Sequence, residues 1–266
     1  MKGPATLEAA EDNWQTEMGA WFAGERVVYR GKDLFTELSD ISWFKLIMFG
    51  ITGKEFTDNQ IKLFEAIQVI TVSYPEPKLW NNRIASLTAS ARATGILGTT
   101  AAIACSEAKI YGNQANIVAI DFIRRAKVSI NNKNGIEDFT LNDLKKHRAI
   151  GGYGRPLIDT DERIKPLLGR AKELGLADGE HVKLAFEIND FLSSSRYKLN
   201  LNASGLSAAL MADQGFDYRE YYYATMLAFS AGIIPCYIDA ANHKEGTFFP
   251  LSCNRLNYTG HETRHW

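Results

Sequence analysis

The chain has 266 residues, 45% hydrophobic and 23% charged, with 30 basic side chains against 31 acidic ones and a net charge of −1. That length supports a substantial apolar core in one large domain, or in a large and a small one. Without a basic excess there is no phosphate-tracking surface, so nucleic acid is not an expected partner.

The opening, MKGPATLEAAEDNWQTEMG, is acidic and lacks an apolar core, so it does not read as a signal peptide. Next comes ERVVYRG, the better of two strand-like stretches; the other is GTFFPLS near the C-terminus. Thr57 and Gln60 make a capping box, and Ile61, Phe64, Ile67 and Ile70 recur every third residue behind it, which predicts a buried helix face. Pro75 and Pro77 of YPEP close that helix. Residues 84–108 then read as one long helix of Ala, Ser, Thr and Gly. Such small side chains let helix axes approach closely, inside a bundle or at a subunit interface. The uncharged run 93–106 falls in this stretch and is too short to cross a bilayer.

GNQANIVAIDFIRRAKVSI continues as an amphipathic helix through Ile117, Ile120 and Ile123, and NNKNG ends it at Gly135. Thr140 is the expected N-cap of the short helix LNDLKKHRAI, and the glycine-rich turn GGYG follows. Thr160 is the expected cap of the next helix, with a kink or restart at Pro166. Beyond it lie the helix GEHVKLAFEINDFLSSS, the polar break SSSRYKLNLNAS, the helix GLSAALMADQG, and the long stretch DYREYYYATMLAFSAGIIPCYIDAANH, bent at Pro235. The expectation is an all-α protein with minor β-strand decoration. Cys105, Cys236 and Cys253 are odd in number and far apart, without metal-ligand spacing. A reducing, cytoplasmic setting and no metal are expected from them, and no membrane partner.

Several residues invite a chemical reading beside a plainer one. Asn202 and Ser204 stand where a helix N-cap is favoured. Arg155 follows the glycines and is too basic to act as a general acid. Lys145, Lys146 and Arg148 flank His147, and a second histidine, His243, lies far downstream; either histidine is a replacement base or a solvated residue.

The order of these segments resembles that of citrate synthase and citryl-CoA lyase chains. GERVVYRGKDLFTELSDISWFKLIMFGITGKEFTDNQIKLF is similar to the family's opening, with its YRGYD turn and LLTG element. GGYGRPLIDTDER resembles the GFGH loop and the following DPR; NLNASGLSAALMADQGF resembles the NVDG segment and its helix; LNYTGHETRHW resembles the YTG or YVGP ending. The short length and the proline after GGYGR lean toward the lyase-like branch. This resemblance implies a citrate-synthase-like all-helical homodimer, here with a large domain at 1–140 and 200–266 and a small domain at 141–199. It implies an enzyme that makes or breaks a carbon–carbon bond between an acyl-CoA and a keto acid.

Family chemistry uses a carboxylate base and two histidines, and all three are replaced here. Tyr111 of IYGNQAN stands for the first histidine, as a hydrogen-bond donor to a carbonyl or as a buried packing residue. Arg155 stands for the second, facing a carboxylate, an enolate or a CoA phosphate. The base position falls on Asn202 or Ser204. Of the anion-holding residues, Arg163 of DER matches the arginine of DPR, Phe229 replaces an arginine, and Arg255 is a stand-in for another. A pocket with fewer arginines suits a less anionic ligand than citrate or oxaloacetate. Gly152, Tyr153 and Gly154 correspond to the loop that holds coenzyme A, with Lys146 upstream supplementing it. The alternative is a catalytically inactive relative that binds an acyl-CoA or metabolite and pairs with an active homologue.

Overall fold

Turn and cap chemistry shapes the first seventy residues; the computed structural model describes residues 3–109, 112–155 and 158–262. After α1 (Pro4–Ala10) come β1 (Gly19–Phe22), β2 (Arg26–Tyr29) and β3 (Lys32–Asp33), an antiparallel meander in which Gly19 pairs with Tyr29 and Val28 with Asp33. The expected strand ERVVYRG is β2. The helix α2 (Trp43–Thr52) begins at Ser42, whose hydroxyl accepts from the Lys45 amide at 3.2 Å, and ends at Gly53 in the left-handed conformation. The capping box opens α3 (Asp58–Ile70): the Gln60 amide donates to Thr57 Oγ1 at 3.3 Å and the Thr57 amide to Gln60 Oε1 at 2.8 Å.

The expected long helix over 84–108 is two helices, α4 (Trp80–Ser90) and α5 (Gly95–Cys105). Arg92 takes a positive φ of 62°, and Thr94 restarts the chain by accepting from the Leu97 amide. Both ends of the interruption have hydrogen-bonding reasons that composition conceals. Then come α6 (Asn113–Asn131) and α7 (Ile136–His147). Gly135 is the N-cap of α7, not Thr140, which lies buried inside it; Glu137 and Asp138 suit the first turn of a helix that starts earlier. In α8 (Ile164–Glu173) the N-cap is Arg163 rather than Thr160. Pro166 makes no kink there, because in a first turn its missing N–H would have had no helical acceptor.

The remaining helices are α9 (Glu180–Ser194), α10 (Ala203–Asp213), α11 (Tyr218–Met226) and α12 (Ser230–Asn242). The long C-terminal helical stretch divides at a 3-10 turn, Leu227–Phe229, and α12 runs on through Pro235. A proline disturbs the turn on its N-terminal side, so the interruption lies upstream of it. GTFFPLS is irregular chain: Phe249 has a φ of 39° and Pro250 has no N–H to donate to a ladder. By length and composition alone Tyr218–Asn242 is long and apolar enough to cross a bilayer, yet α12 buries Ile233, Cys236 and Ala240 against protein.

Contacts divide the chain into two compact units, Met1–Ile70 with Asn116–Ala224 and Thr71–Ala115 with Thr225–Trp266. In the first, α10 is the central helix, buried at every residue from Gly205 to Ala212, as expected of a helix with no polar face. Phe56, Phe64 and Phe216 form an aromatic cluster beside it, with ring centroids 5.0 to 5.4 Å apart. In the second, α4, α5 and α12 meet on Ala85, Ala102 and Ile233. Small residues permit the approach there; a Cβ on Gly232 would lie 1.7 Å from the Ser73 carbonyl oxygen.

Candidate functional site

The glycine loop is held against two helices by its own lack of side chains. A Cβ on Gly151 would fall 2.4 Å from the Val118 carbonyl of α6, and one on Gly152 would fall 2.5 Å from the Gly205 Cα of α10. Gly152 also has a φ of 86°, so both space and backbone conformation demand glycine. Main-chain bonds then stitch the loop to the segment before α10: Gly154 N to Asn200 O at 2.7 Å, and Asn202 N to Gly152 O at 2.9 Å. Between the glycines, Tyr153 turns inward and donates its hydroxyl to Ala185 O at 2.8 Å, with its ring edge-on to Phe122. Burial pushes its phenol far above the ordinary value, so this side chain anchors the loop and does not titrate.

Asn202 caps α10 and clamps the loop together. Its Oδ1 accepts from the Gly205 amide at 3.1 Å, while its Nδ2 donates to Gly154 O at 2.9 Å. Beside it, the hydroxyl of Ser204 donates to Asn116 Oδ1 of α6 at 2.7 Å. Of the two candidates for the base position, Asn202 therefore has both ends of its amide engaged in scaffolding.

Asp161, in the loop before α8, is the acidic centre of the site. Its side chain is shut off from solvent. Oδ1 accepts from Arg163 Nε at 2.8 Å; Oδ2 accepts from Arg163 Nη2 and from the Ala203 amide, each also at 2.8 Å. That amide is the first of α10, so the carboxylate also meets the positive end of the helix. Burial works to raise its pKa, but the bonds from Arg163 and Ala203 outweigh it and hold the carboxyl at about 2. Arg155 completes the cluster: Nη1 bonds to the exposed Glu162 carboxylate and stands 3.6 Å from Asp161 Oδ1. The Glu162 carboxyl lies below its usual range, held by its own backbone amide and by Arg155.

Sequence reasoning thus points to Arg155, Arg163, Asn202 and Ser204, and the fold brings these four to the N-terminus of α10. It misses Asp161, Glu162 and Asn116. The one available signal is the acidic DTDER run itself, in which the family resemblance draws attention to the arginine alone. Lys146 is exposed in the last turn of α7, where its charge suits the helix C-terminus. His147 lies 3.8 Å from Asp143, the carboxylate that also pairs with Arg125. Phe229 and Arg255 belong to the other unit, Phe229 packed on its Ala85–Ile233 core and Arg255 exposed in the 3-10 turn Cys253–Arg255. Tyr111 lies outside the described residues.

Two of the concavities formed by the described residues lie in the first unit. An open cleft of about 570 Å³ runs from Asp161 between α8 and α9, walled by Leu168, Phe186 and Leu201, with Lys165 and Lys172 at its rim. A second, of about 520 Å³, surrounds His181 and Asp213. There Asp213 accepts from the His181 and Val182 amides at 2.9 and 3.0 Å and bonds His181 Nδ1 at 2.8 Å. The arrangement caps α9 and ties it to α10. Burial tends to raise the Asp213 pKa, and the bonds from His181 and these amides more than reverse that.

No protein-family model and no curated protein matches the sequence. Solved structures do. A citryl-CoA lyase from Hydrogenobacter thermophilus superposes with a TM-score of 0.83 at 23% identity, over 96% of this chain and 97% of that one. ATP citrate lyase from Methanothrix soehngenii, in complex with citrate and coenzyme A, gives 0.75 at 18% identity, over 98% of this chain but 45% of that longer one. Citrate synthase from Thermotoga maritima MSB8 gives 0.63 at 16% identity, over 85% of this chain and 60% of that one. The chain therefore has the all-helical fold of the citrate synthases and citryl-CoA lyases.

Proposed function

We propose that this chain is an enzyme that makes or breaks a carbon–carbon bond in an acyl-CoA or keto-acid-type substrate through a non-standard active site. The observation that carries the reading is the convergence of Arg155, Arg163, Asn202 and Ser204 on one helix N-terminus, within a chain that matches a citryl-CoA lyase along its length. A coenzyme A thioester is the proposed cofactor. The cleft beside Asp161 supports it, since an apolar wall suits an extended acyl-carrying arm and the rim lysines suit phosphates. Arg155 brings a guanidinium with donors only, so its part is to stabilise an enolate oxygen or a carboxylate. Arg163 is assigned to a substrate carboxylate from the resemblance, and such a carboxylate would share its guanidinium with Asp161, which already binds Nε and Nη2; the Ser204–Asn116 pair supplies a polar contact at the position of the family base. Tyr111, Phe229 and Arg255 enter the proposal from the sequence alone.

The proposed assembly is a cytoplasmic homodimer with 141–199 as its small domain. Exposed Ile96 and Leu97 on α5, with Ile234 and Ile238 on α12, support the dimer as an apolar face in need of cover.

One observation favours a second reading, a binding protein without turnover. The carboxylate at the α10 N-terminus is held at about 2, which makes it a weak base at neutral pH. The test is to offer the protein a panel of acyl-CoAs and keto acids, following thiol release and solvent exchange of the α-proton, with calorimetry for coenzyme A. Exchange or turnover with at least one pair is expected. Coenzyme A binding without either favours the second reading, and neither binding nor turnover overturns both.

A further inference from the structure

The turn between α6 and α7, drawn from NNKNG, is exposed from Asn131 to Gly135 and holds the one asparagine–glycine pair in the sequence, Asn134–Gly135. In sequence that glycine reads as a helix terminator, yet the left-handed residue that turns the chain is Lys133, with a φ of 66°. Gly135 has a φ of −70° and a ψ of 145°, which any residue can adopt, and a Cβ there would meet Asp138 Oδ2 at an ordinary 3.6 Å. The fold does not require glycine at this position. Asn134 is held on the last turn of α6: its amide donates to Ser129 O at 3.2 Å and its Nδ2 to Ser129 Oγ at 3.0 Å. The Gly135 N–H, one residue before α7, has no acceptor among the described residues.

We propose that Asn134 is a site of spontaneous covalent modification, deamidating through a cyclic imide with Gly135 to aspartate and isoaspartate. The Gly135 main-chain nitrogen, having lost its proton to solvent, attacks the carbonyl carbon of the Asn134 side chain. A carbon–nitrogen bond forms there, the bond to Nδ2 breaks, and Nδ2 leaves as ammonia with a proton from solvent. Water then opens the five-membered ring at either of its two carbonyls. One opening gives aspartate in the ordinary main chain; the other gives isoaspartate, with the main chain rerouted through the side chain. The balance is one water consumed and one ammonia released. Glycine lets the ring close because no side chain crowds its nitrogen, and an N–H without an acceptor gives up no hydrogen bond by reacting. Beyond the turn, α6 and α7 are joined by Arg125 Nη1 to Asp143 Oδ1 at 2.7 Å and by the Phe122 and Phe139 rings, so both products are expected to stay folded.

The test is to age the intact chain in ammonia-free buffer at pH 6 and at pH 8, then map peptide masses and label isoaspartate with an isoaspartyl methyltransferase. Asn134 is expected to convert first, ahead of Asn131 and Asn132 in the same exposed turn, and to do so faster at pH 8, where the attacking nitrogen loses its proton more readily. Isoaspartate is expected among the products, because only the ring route makes it. Gly135→Ala fits the observed backbone angles and is expected to slow conversion about tenfold, since a methyl group then crowds the attacking nitrogen. The ranking of the three asparagines is read within the wild-type chain, so it holds whatever the stability of the variant. Conversion of Asn134 no faster than that of its two neighbours, aspartate without isoaspartate, or equal rates in wild type and a folded Gly135→Ala each overturn the assignment.

Discussion

Asp161→Asn is expected to lower the stability of the unit that contains it by about 2 kcal/mol at pH 7, and to remove the part of that unit's acid sensitivity below pH 4 that this one carboxylate contributes. The carboxyl is held at about 2, against an ordinary value of 3.8. The difference corresponds to about 2 kcal/mol of preferential stabilisation of the charged form, and the shielded side chain loses little of it to solvent screening. Because the folded value is the depressed one, this contribution is complete above the unfolded value and disappears as pH falls through about 2. Asparagine keeps the shape and can still accept one bond, but it cannot hold Arg163 from both oxygens or answer its charge. Urea denaturation of both proteins at a series of pH values reads the effect. The gap is expected to be widest at neutral pH and to narrow between pH 4 and pH 2. A gap that stays constant with pH would mean that the loss comes from packing or geometry, not from the ion pair.

Features encoded within a few residues are legible in the sequence. The Thr57–Gln60 capping box and the N-cap at Asn202 both appear where short-range chemistry places them. Features that depend on chain brought from elsewhere are not. The split between α4 and α5 needs Arg92 in a left-handed conformation, where its guanidinium reaches Ala241 O and His243 O at 2.7 and 2.8 Å. Nothing between residues 84 and 108 announces those acceptors. Thr140 resembles a cap because threonine favours caps, yet the helix has already begun at Ile136 on a better-charged first turn.

The site divides along the same line. GGYG is legible as a place for close backbone approach, but the approach the structure displays is to Val118 and Gly205. Tyr153, which belongs to that loop, turns into the core to reach Ala185. Arg155 stands out in the sequence, whereas its partners do not. Glu162 and Asp161 are seven and six residues away, and only the fold brings their carboxylates to the guanidinium.

Gly205→Ala is expected to destabilise the same unit by about 3 kcal/mol and to abolish ligand binding, although the substitution raises intrinsic helix propensity by about 1 kcal/mol. The new Cβ would lie 2.4 Å from Gly152 O, 2.7 Å from Leu201 Cδ1 and 2.9 Å from Gly152 Cα. Leu201 can shift as a side chain. The Gly152 carbonyl cannot do so cheaply, because it accepts the Asn202 amide at 2.9 Å and lies in a loop with its own glycine at positive φ. Relief therefore means lifting the loop off α10, which breaks the Asn202–Gly154 bond and carries Arg155 away from Asp161. Gly169→Ala in α8 is the control: a Cβ at that position would meet nothing within 4 Å, so there the propensity gain stands alone and about 0.5–1 kcal/mol of stabilisation is expected. Shifts in denaturation midpoint of opposite sign for the two variants would show that the glycine at 205 is required by the loop it touches rather than by the helix that contains it. If Gly205→Ala proved as stable as wild type and still bound ligand, the loop would have room to move that its close approach to α10 does not suggest.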